Sequence, residues 1–163
     1  EGLKLLKKGT TVGKVQQAFR WCREVGIITV ADYIIGHSFE KSEGDIEKSV
    51  DFLMDLDPDY AQISVLKLYP NTAIYDNAVA EGVIEPGRWQ QFATKPKKNF
   101  IVDHWDENLN LSTMIRLQKR AYRRFYFRPK YIFRSALQTR SLIEFNSKVN
   151  GALKLIYTNK RSA

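Results

Sequence analysis

Few thiols or imidazoles are present in this chain to hold a metal or attack a substrate. There is one cysteine, Cys22, and there are two histidines, His37 and His104. A single thiol forbids an internal disulfide, and any multi-cysteine zinc or iron–sulfur site built by this chain alone. It fits a reducing, cytoplasmic compartment. Cys22 falls on an apolar helical stripe, so a small buried core residue is expected there. Two histidines are too few for a histidine-rich metal site. The remaining signal is charge. Residues 1–111 hold 13 Lys/Arg against 17 Asp/Glu, net −4, whereas residues 112–163 hold 13 Lys/Arg and only Glu144, net +12. A basic tail on an acidic body calls for an acidic partner: nucleic acid, an anionic membrane or an acidic surface of a parent protein.

The frame that must position these residues is an ordinary one. Of 163 residues, 44% are hydrophobic and 27% charged, which excludes wholesale disorder and fits one domain with an appendage. No apolar run approaches the ~18 residues that span a bilayer. The chain opens Glu1-Gly2-Leu3-Lys4, with neither an initiator Met nor a signal core, and reads as a piece of something longer.

Periodicity then assigns the elements. Val12, Val15, Phe19, Cys22 and Val25 line one face of a helix that Thr10 and Thr11 precede and Gly26 closes. Ile27–Ile35 and Tyr60–Leu68 read as strands buried on both faces, the pattern of a parallel sheet. Between them Ser42 and Asp45 cap a helix running through Ile46, Val50, Leu53 and Leu56, which Asp57-Pro58-Asp59 stops. A further helix is expected at Ala73–Glu81, closed by Gly82. Residues 83–108 form a long loop with one short helix near Arg88–Phe92 and a basic Lys95-Pro96-Lys97-Lys98 patch. Ser112 caps a helix with an apolar face through Met114, Leu117, Ala121, Tyr122 and Phe125, and a basic face through Arg116, Lys119, Arg120, Arg123 and Arg124. Arg128-Pro129 ends it, and a last helix is expected at Ser135–Tyr157 with a stripe of Leu142, Phe145, Val149, Ala152 and Ile156. The alternation implies right-handed crossovers and a parallel sheet.

Three phrases in this order resemble the C-terminal half of radical S-adenosylmethionine enzymes. The subgroup most similar carries an N-terminal cobalamin-binding domain and includes magnesium-protoporphyrin monomethyl ester oxidative cyclase-like iron–sulfur enzymes and related methylases. The phrases are Leu6-Lys7-Lys8-Gly9-Thr10-Thr11 before the first long helix, Tyr33-Ile34-Ile35-Gly36 followed by Glu40, and Leu68-Tyr69-Pro70-Asn71-Thr72-Ala73-Ile74-Tyr75 closed by Gly82. Ala121-Tyr122-Arg123-Arg124-Phe125-Tyr126-Phe127-Arg128-Pro129 looks like the helical extension that follows the barrel. Here Gly36-His37-Ser38-Phe39-Glu40-Lys41 lacks the usual Pro and second Gly, and Asn71 replaces a usual Gly; Asn tolerates the left-handed backbone such a turn needs.

The resemblance implies an α/β fold: a partial parallel (β/α) TIM-type barrel over residues 1–108, then a basic helical extension over 109–163. It implies a parent enzyme using S-adenosylmethionine, a 4Fe–4S cluster and cobalamin, and abstracting hydrogen from a small-molecule substrate through an adenosyl radical. The cluster's three cysteines and the cobalamin domain would lie upstream, so this chain alone is expected to be inactive and to bind no cluster. The cofactor-binding candidates are Ile35, Gly36, Glu40, Leu68 and Tyr69, at the strand ends where parallel barrels carry their sites. Gly36 reads either as a close backbone approach to cofactor or as a turn glycine. Glu40 reads as fixing that turn or as a solvated residue before a helix. Tyr69 reads as a pocket wall or a core aromatic. His37 reads as an exposed turn residue, or as a catalytic or cobalt-ligating one. Residues 112–134 read as a solvated barrel cover or a membrane-surface segment. The expected partners are the upstream barrel and cobalamin domain, and the isolated chain is expected to self-associate. The alternative is a non-catalytic α/β module whose basic tail binds membrane or nucleic acid.

Overall fold

The computed structural model describes residues 2–139, 141, 143 and 146–151. Its centre is a pair of parallel strands, β1 (Val30–Ile35) and β2 (Tyr60–Val65), in register from Val30 opposite Tyr60 to Ile35 opposite Val65. Both are shorter than expected: Ile27 and Ile28 lie exposed before β1, and β2 ends at Val65, with Leu66 N making a last bond to Ile35 O. Helix α1 (Gly2–Leu5) is a short turn that no sequence signal announces. Helix α2 (Val12–Glu24) starts as read, with the Thr11 hydroxyl accepting from Lys14 N at 3.3 Å. Helix α3 (Glu43–Leu56) crosses from β1 to β2, with the Ser42 hydroxyl accepting from Asp45 N. Asp57, in the left-handed region at φ 48°, ends it. After β2 come α4 (Ala73–Ala80), capped by Thr72, and α5 (Arg88–Thr94).

Helix α6 (Leu111–Tyr126) is capped by the Asn110 side chain, which accepts from Thr113 N at 2.9 Å; the cap expected at Ser112 falls two residues earlier. Arg128-Pro129 does end α6, but Pro129 also opens α7 (Pro129–Gln138), where its missing N–H is harmless at the first helical position. The last helix expected from Ser135 is therefore divided. Of its stripe, Leu142, Phe145, Ala152 and Ile156 lie outside the described residues, and Val149 is exposed.

One sheet face is covered. Ala31 and Ile35 of β1 and Ala61 and Ile63 of β2 pack against Ile46, Val50 and Leu53 of α3 and Met114, Leu117, Ala121 and Phe125 of α6 in a single core. Thus α6 belongs to the body of the fold. The other face, Val30, Asp32 and Ile34 beside Tyr60, Gln62 and Ser64, is covered by no described element, which corrects the expectation of strands buried on both faces. The α2 stripe is also less buried than expected: no α2 residue is fully buried, Cys22 is half-buried, and Val25 is 70% exposed.

Two sets of contacts fix α6. On its solvent side Arg116, Arg120 and Arg124 pair with Glu43, Glu47 and Asp51 of α3 at 2.5, 2.7 and 2.6 Å. Each set repeats every four residues, so two parallel helices present matching rows. On its sheet side α6 caps the outer edge of β2. Gln118 donates to Ile63 O at 2.7 Å, and Ile63 N donates to the Tyr122 hydroxyl at 2.9 Å. The Tyr126 hydroxyl accepts from Ala61 N at 3.2 Å and donates to Ala61 O at 2.9 Å. A helical turn of four residues rises about 6 Å, close to the ~6.6 Å of two strand residues, so side chains four apart on α6 reach backbone groups two apart on β2. The outer edge of β1 has no such cap among the described residues. Thr29 O and Ile35 O accept from Tyr60 N and Leu66 N, so the intervening Val30, Asp32 and Ile34 turn their backbone groups the other way.

The N-terminal end of the sheet is held by charge. The buried Asp57 carboxylate pairs with Lys130 at 2.8 Å, Arg134 at 3.3 Å, Arg128 at 3.5 Å and Arg23 at 3.7 Å. The same arginines donate to the last carbonyls of α3 and its exit: Arg23 to Leu56 O, Arg128 to Met54 O and Arg134 to Pro58 O. Cations at a helix C-terminus meet the negative end of its dipole.

Candidate functional site

The C-terminal ends of both strands lie together, since the ladder is parallel and in register. The chain leaves β1 at Gly36, whose φ is +90°, a conformation open to glycine. Glu40, 4% exposed, folds back over this turn. One carboxylate oxygen accepts from Gly36 N at 2.7 Å and His37 N at 2.9 Å, and the other accepts from the Ser49 hydroxyl of α3 at 2.5 Å. Glu40 therefore fixes the turn, and the reading of a solvated residue is corrected. A Cβ built on Gly36 would stand 2.6 Å from Met114 Cε of α6. The positive φ favours glycine here independent of any ligand, whereas the contact falls on the flexible end of Met114, which would have to shift.

His37 is half-buried and stacked on Phe39 with ring centroids 5.0 Å apart, so it is not the exposed turn residue first expected. Burial holds its imidazole below the ordinary value, against the opposing pull of the Glu40 carboxylate. Its Nδ1 is buried without a partner. Burial also pushes the Tyr33 phenol up, opposed by the Ser49 hydroxyl.

The other candidates divide by side chain. Ile35 and Leu68 are fully buried, Ile35 in the main core and Leu68 in a second one with Tyr75, Ala78, Ile84 and Trp105, so both support the strand ends from within. Leu68 is anchored on both sides, its N–H donating to Asp103 O at 2.8 Å and its carbonyl accepting from Trp89 Nε1 at 3.3 Å. Tyr69 is 48% exposed, with its ring tilted against Trp89. It lines a cavity of about 830 Å³ with Ile34, Ser64, Lys67, Phe100, His104 and Ile115 among its walls. That volume suits a small organic ligand.

Sequence reasoning missed Ser64, Lys67 and His104 of this cavity, and missed Asp32 and Gln62 on the open sheet face beside it. A polar residue at every second position of β2, Gln62 then Ser64, was the available signal.

The strand-end turn and cavity stand in a chain that is 25% identical over 155 residues to an uncharacterized methyltransferase of Pyrococcus horikoshii. The match covers 95% of this chain and 32% of that protein, so the chain spans about a third of the length of the curated relative it matches. No protein-family model matches the chain, and no solved structure gives a significant match.

Proposed function

We propose that this chain is the C-terminal part of an S-adenosylmethionine-dependent, methyl-transferring enzyme of the radical type, and that its strand ends form one wall of the active site. The observation that carries the reading is the Gly36 turn clamped by buried Glu40 at the C-terminal end of a parallel strand, beside an open cavity edged by Tyr69. The methyltransferase relative supports the reaction class.

The implied cofactors fit this chain unequally. Tyr69, half exposed at the strand end, offers an aromatic face on which an adenine could stack, so it suits S-adenosylmethionine. A cluster does not fit here: the chain has one cysteine, and the described residues hold no group of three metal-ligating side chains. His37 does not suit a cobalt ion, since its unpartnered Nδ1 is buried. The one-electron chemistry of the reading belongs to groups held by the rest of the polypeptide. This chain's residues position and enclose: Glu40 fixes the turn, Leu68 is pinned by Asp103 and Trp89, and Tyr69 walls the cavity. The alternative of a non-catalytic basic tail has less support, because Arg116, Arg120 and Arg124 already pair with α3. Among the described residues no helix is long and apolar enough to cross a membrane.

The test is the full-length natural protein, reconstituted anaerobically with iron and sulfide and given S-adenosylmethionine and a reductant. Formation of 5′-deoxyadenosine or S-adenosylhomocysteine, measured by mass spectrometry, supports the reading. Absence of both from cluster-loaded protein refutes it.

A further inference from the structure

The Lys95-Pro96-Lys97-Lys98 patch is used by nothing described so far. It stands in the acidic part of the chain, where residues 1–111 sum to −4. Lys95 and Lys97 line a second cavity of about 540 Å³ with Arg88, Phe92 and Phe100. Phe100 and Ile101 line both this cavity and the larger one beside the strand ends, so the two share a wall. That wall is built firmly: Phe92 and Phe100 stack at 4.2 Å, and Trp89 sets its edge against Phe100 at 5.1 Å.

The charges of the two cavities differ in availability. Arg88 is paired with Asp103. Lys67, Lys95 and Lys97 have no carboxylate partner among the described residues. The larger cavity is walled chiefly by apolar groups, with Ile34, Tyr69 and Ile115 among them, and its His104 Nε2 has no partner. An apolar recess beside unpaired cations is complementary to a molecule with an apolar body and an anionic end.

We propose that the two cavities form one binding site for an amphiphilic organic anion, its apolar body against Ile34, Ile101 and Ile115 and its carboxylate or phosphate on Lys95 and Lys97. This deepens the proposed function by naming the substrate class, and it rests on that reading only for calling the ligand a substrate. Binding itself needs neither S-adenosylmethionine nor a cluster, so the two ideas fail separately.

The experiment titrates the full-length protein with two fluorescent probes of like shape: 1-anilinonaphthalene-8-sulfonate, an anion, and N-phenyl-1-naphthylamine, which is uncharged. The sulfonate should bind about tenfold tighter at low salt, and the gap should shrink as salt screens exposed charges. The K95Q/K97Q variant should lose that advantage while its affinity for the neutral probe stays the same. The surface variant K14Q should behave as wild type. Competition by phenylacetate and by phenyl phosphate then tells which anion the site prefers. Equal binding of the two probes by wild-type protein, or unchanged sulfonate binding by K95Q/K97Q, overturns the proposal. So does displacement of the sulfonate by a single-stranded oligoribonucleotide at lower concentration than either small anion.

Discussion

Glu40 holds Gly36 by an N–H···O contact of 2.7 Å while Ser49, nine residues further on, holds Glu40 from α3. The end of the strand and the first turns of the next helix are thus joined through one buried carboxylate. Glu40→Ala would leave the N–H groups of Gly36 and His37 without their acceptor, at about 1–3 kcal/mol each when buried. A loss of about 2–4 kcal/mol in urea unfolding is expected. Glu40→Gln, which keeps one acceptor oxygen, should lose less. Equal losses would show that the negative charge or the second acceptor oxygen carries the effect, since Gln keeps the shape and one acceptor.

Gly36→Ala should destabilise by at least about 1–2 kcal/mol through its positive φ alone, with a further loss from the approach to Met114. The two causes separate in a double-mutant cycle with Met114→Ala. A positive coupling energy identifies the contact, and the part that remains belongs to the backbone.

His37 makes stability depend on pH. Burial lowers its value in the folded chain below the ordinary 6.5, so the unfolded chain binds the proton more readily. The stabilisation is therefore complete above pH 6.5 and is lost as pH falls from there toward the folded value. Urea midpoints between pH 7.5 and 5.5 should decline for the wild type and flatten for His37→Asn. An unchanged slope in the variant would assign the dependence to another group.

The parallel β–α–β core, the cap at Ser42, the helix starts after Thr11 and near Ala73, and the stop at Asp57 were all legible in the sequence, because each rests on local spacing or on one cap residue. The open sheet face was not. Val30, Ile34 and Tyr60 share that face with Asp32, Gln62 and Ser64, so its apolar members make both strands read as buried throughout. The rows Glu43-Glu47-Asp51 and Arg116-Arg120-Arg124 are visible in the sequence, yet their pairing requires knowing that α3 and α6 run parallel on one side of the sheet. The cavity escaped for a similar reason: Ile34, Lys67 and His104 come together only through tertiary folding.

The α3–α6 ladder gives a further expectation. Its middle pair, Arg120 with Glu47, is half exposed, so Arg120→Glu should lose about 0.5–1 kcal/mol from the lost pair and new repulsion. Adding Glu47→Arg should recover most of it, and 0.5 M salt should shrink both effects. A reversed pair as unstable as the single variant would mean that the ladder's sign pattern is irrelevant.

Tyr126→Phe deprives Ala61 of both backbone partners on the outer edge of β2. A loss of about 1–3 kcal/mol is expected, with faster amide exchange at Ala61. In Tyr122→Phe/Tyr126→Phe the exchange should quicken at Ile63 as well, and light scattering should rise as the bared edge recruits other chains. Unchanged exchange at both amides would show that the hydroxyls do not guard this edge.

The hydroxyl-sealed flank of β2 gives this sheet a terminus in the sense that a growing polymer has one. Among the described residues the outer flank of β1 is open to a further strand, and that of β2 is not. The same rule limits stoichiometry. Two copies meeting flank to flank through β1 would use up every open flank between them, and accretion would stop at two. A chain open on both flanks could extend into a fibre; this one carries its own stop signal, written in Gln118, Tyr122 and Tyr126.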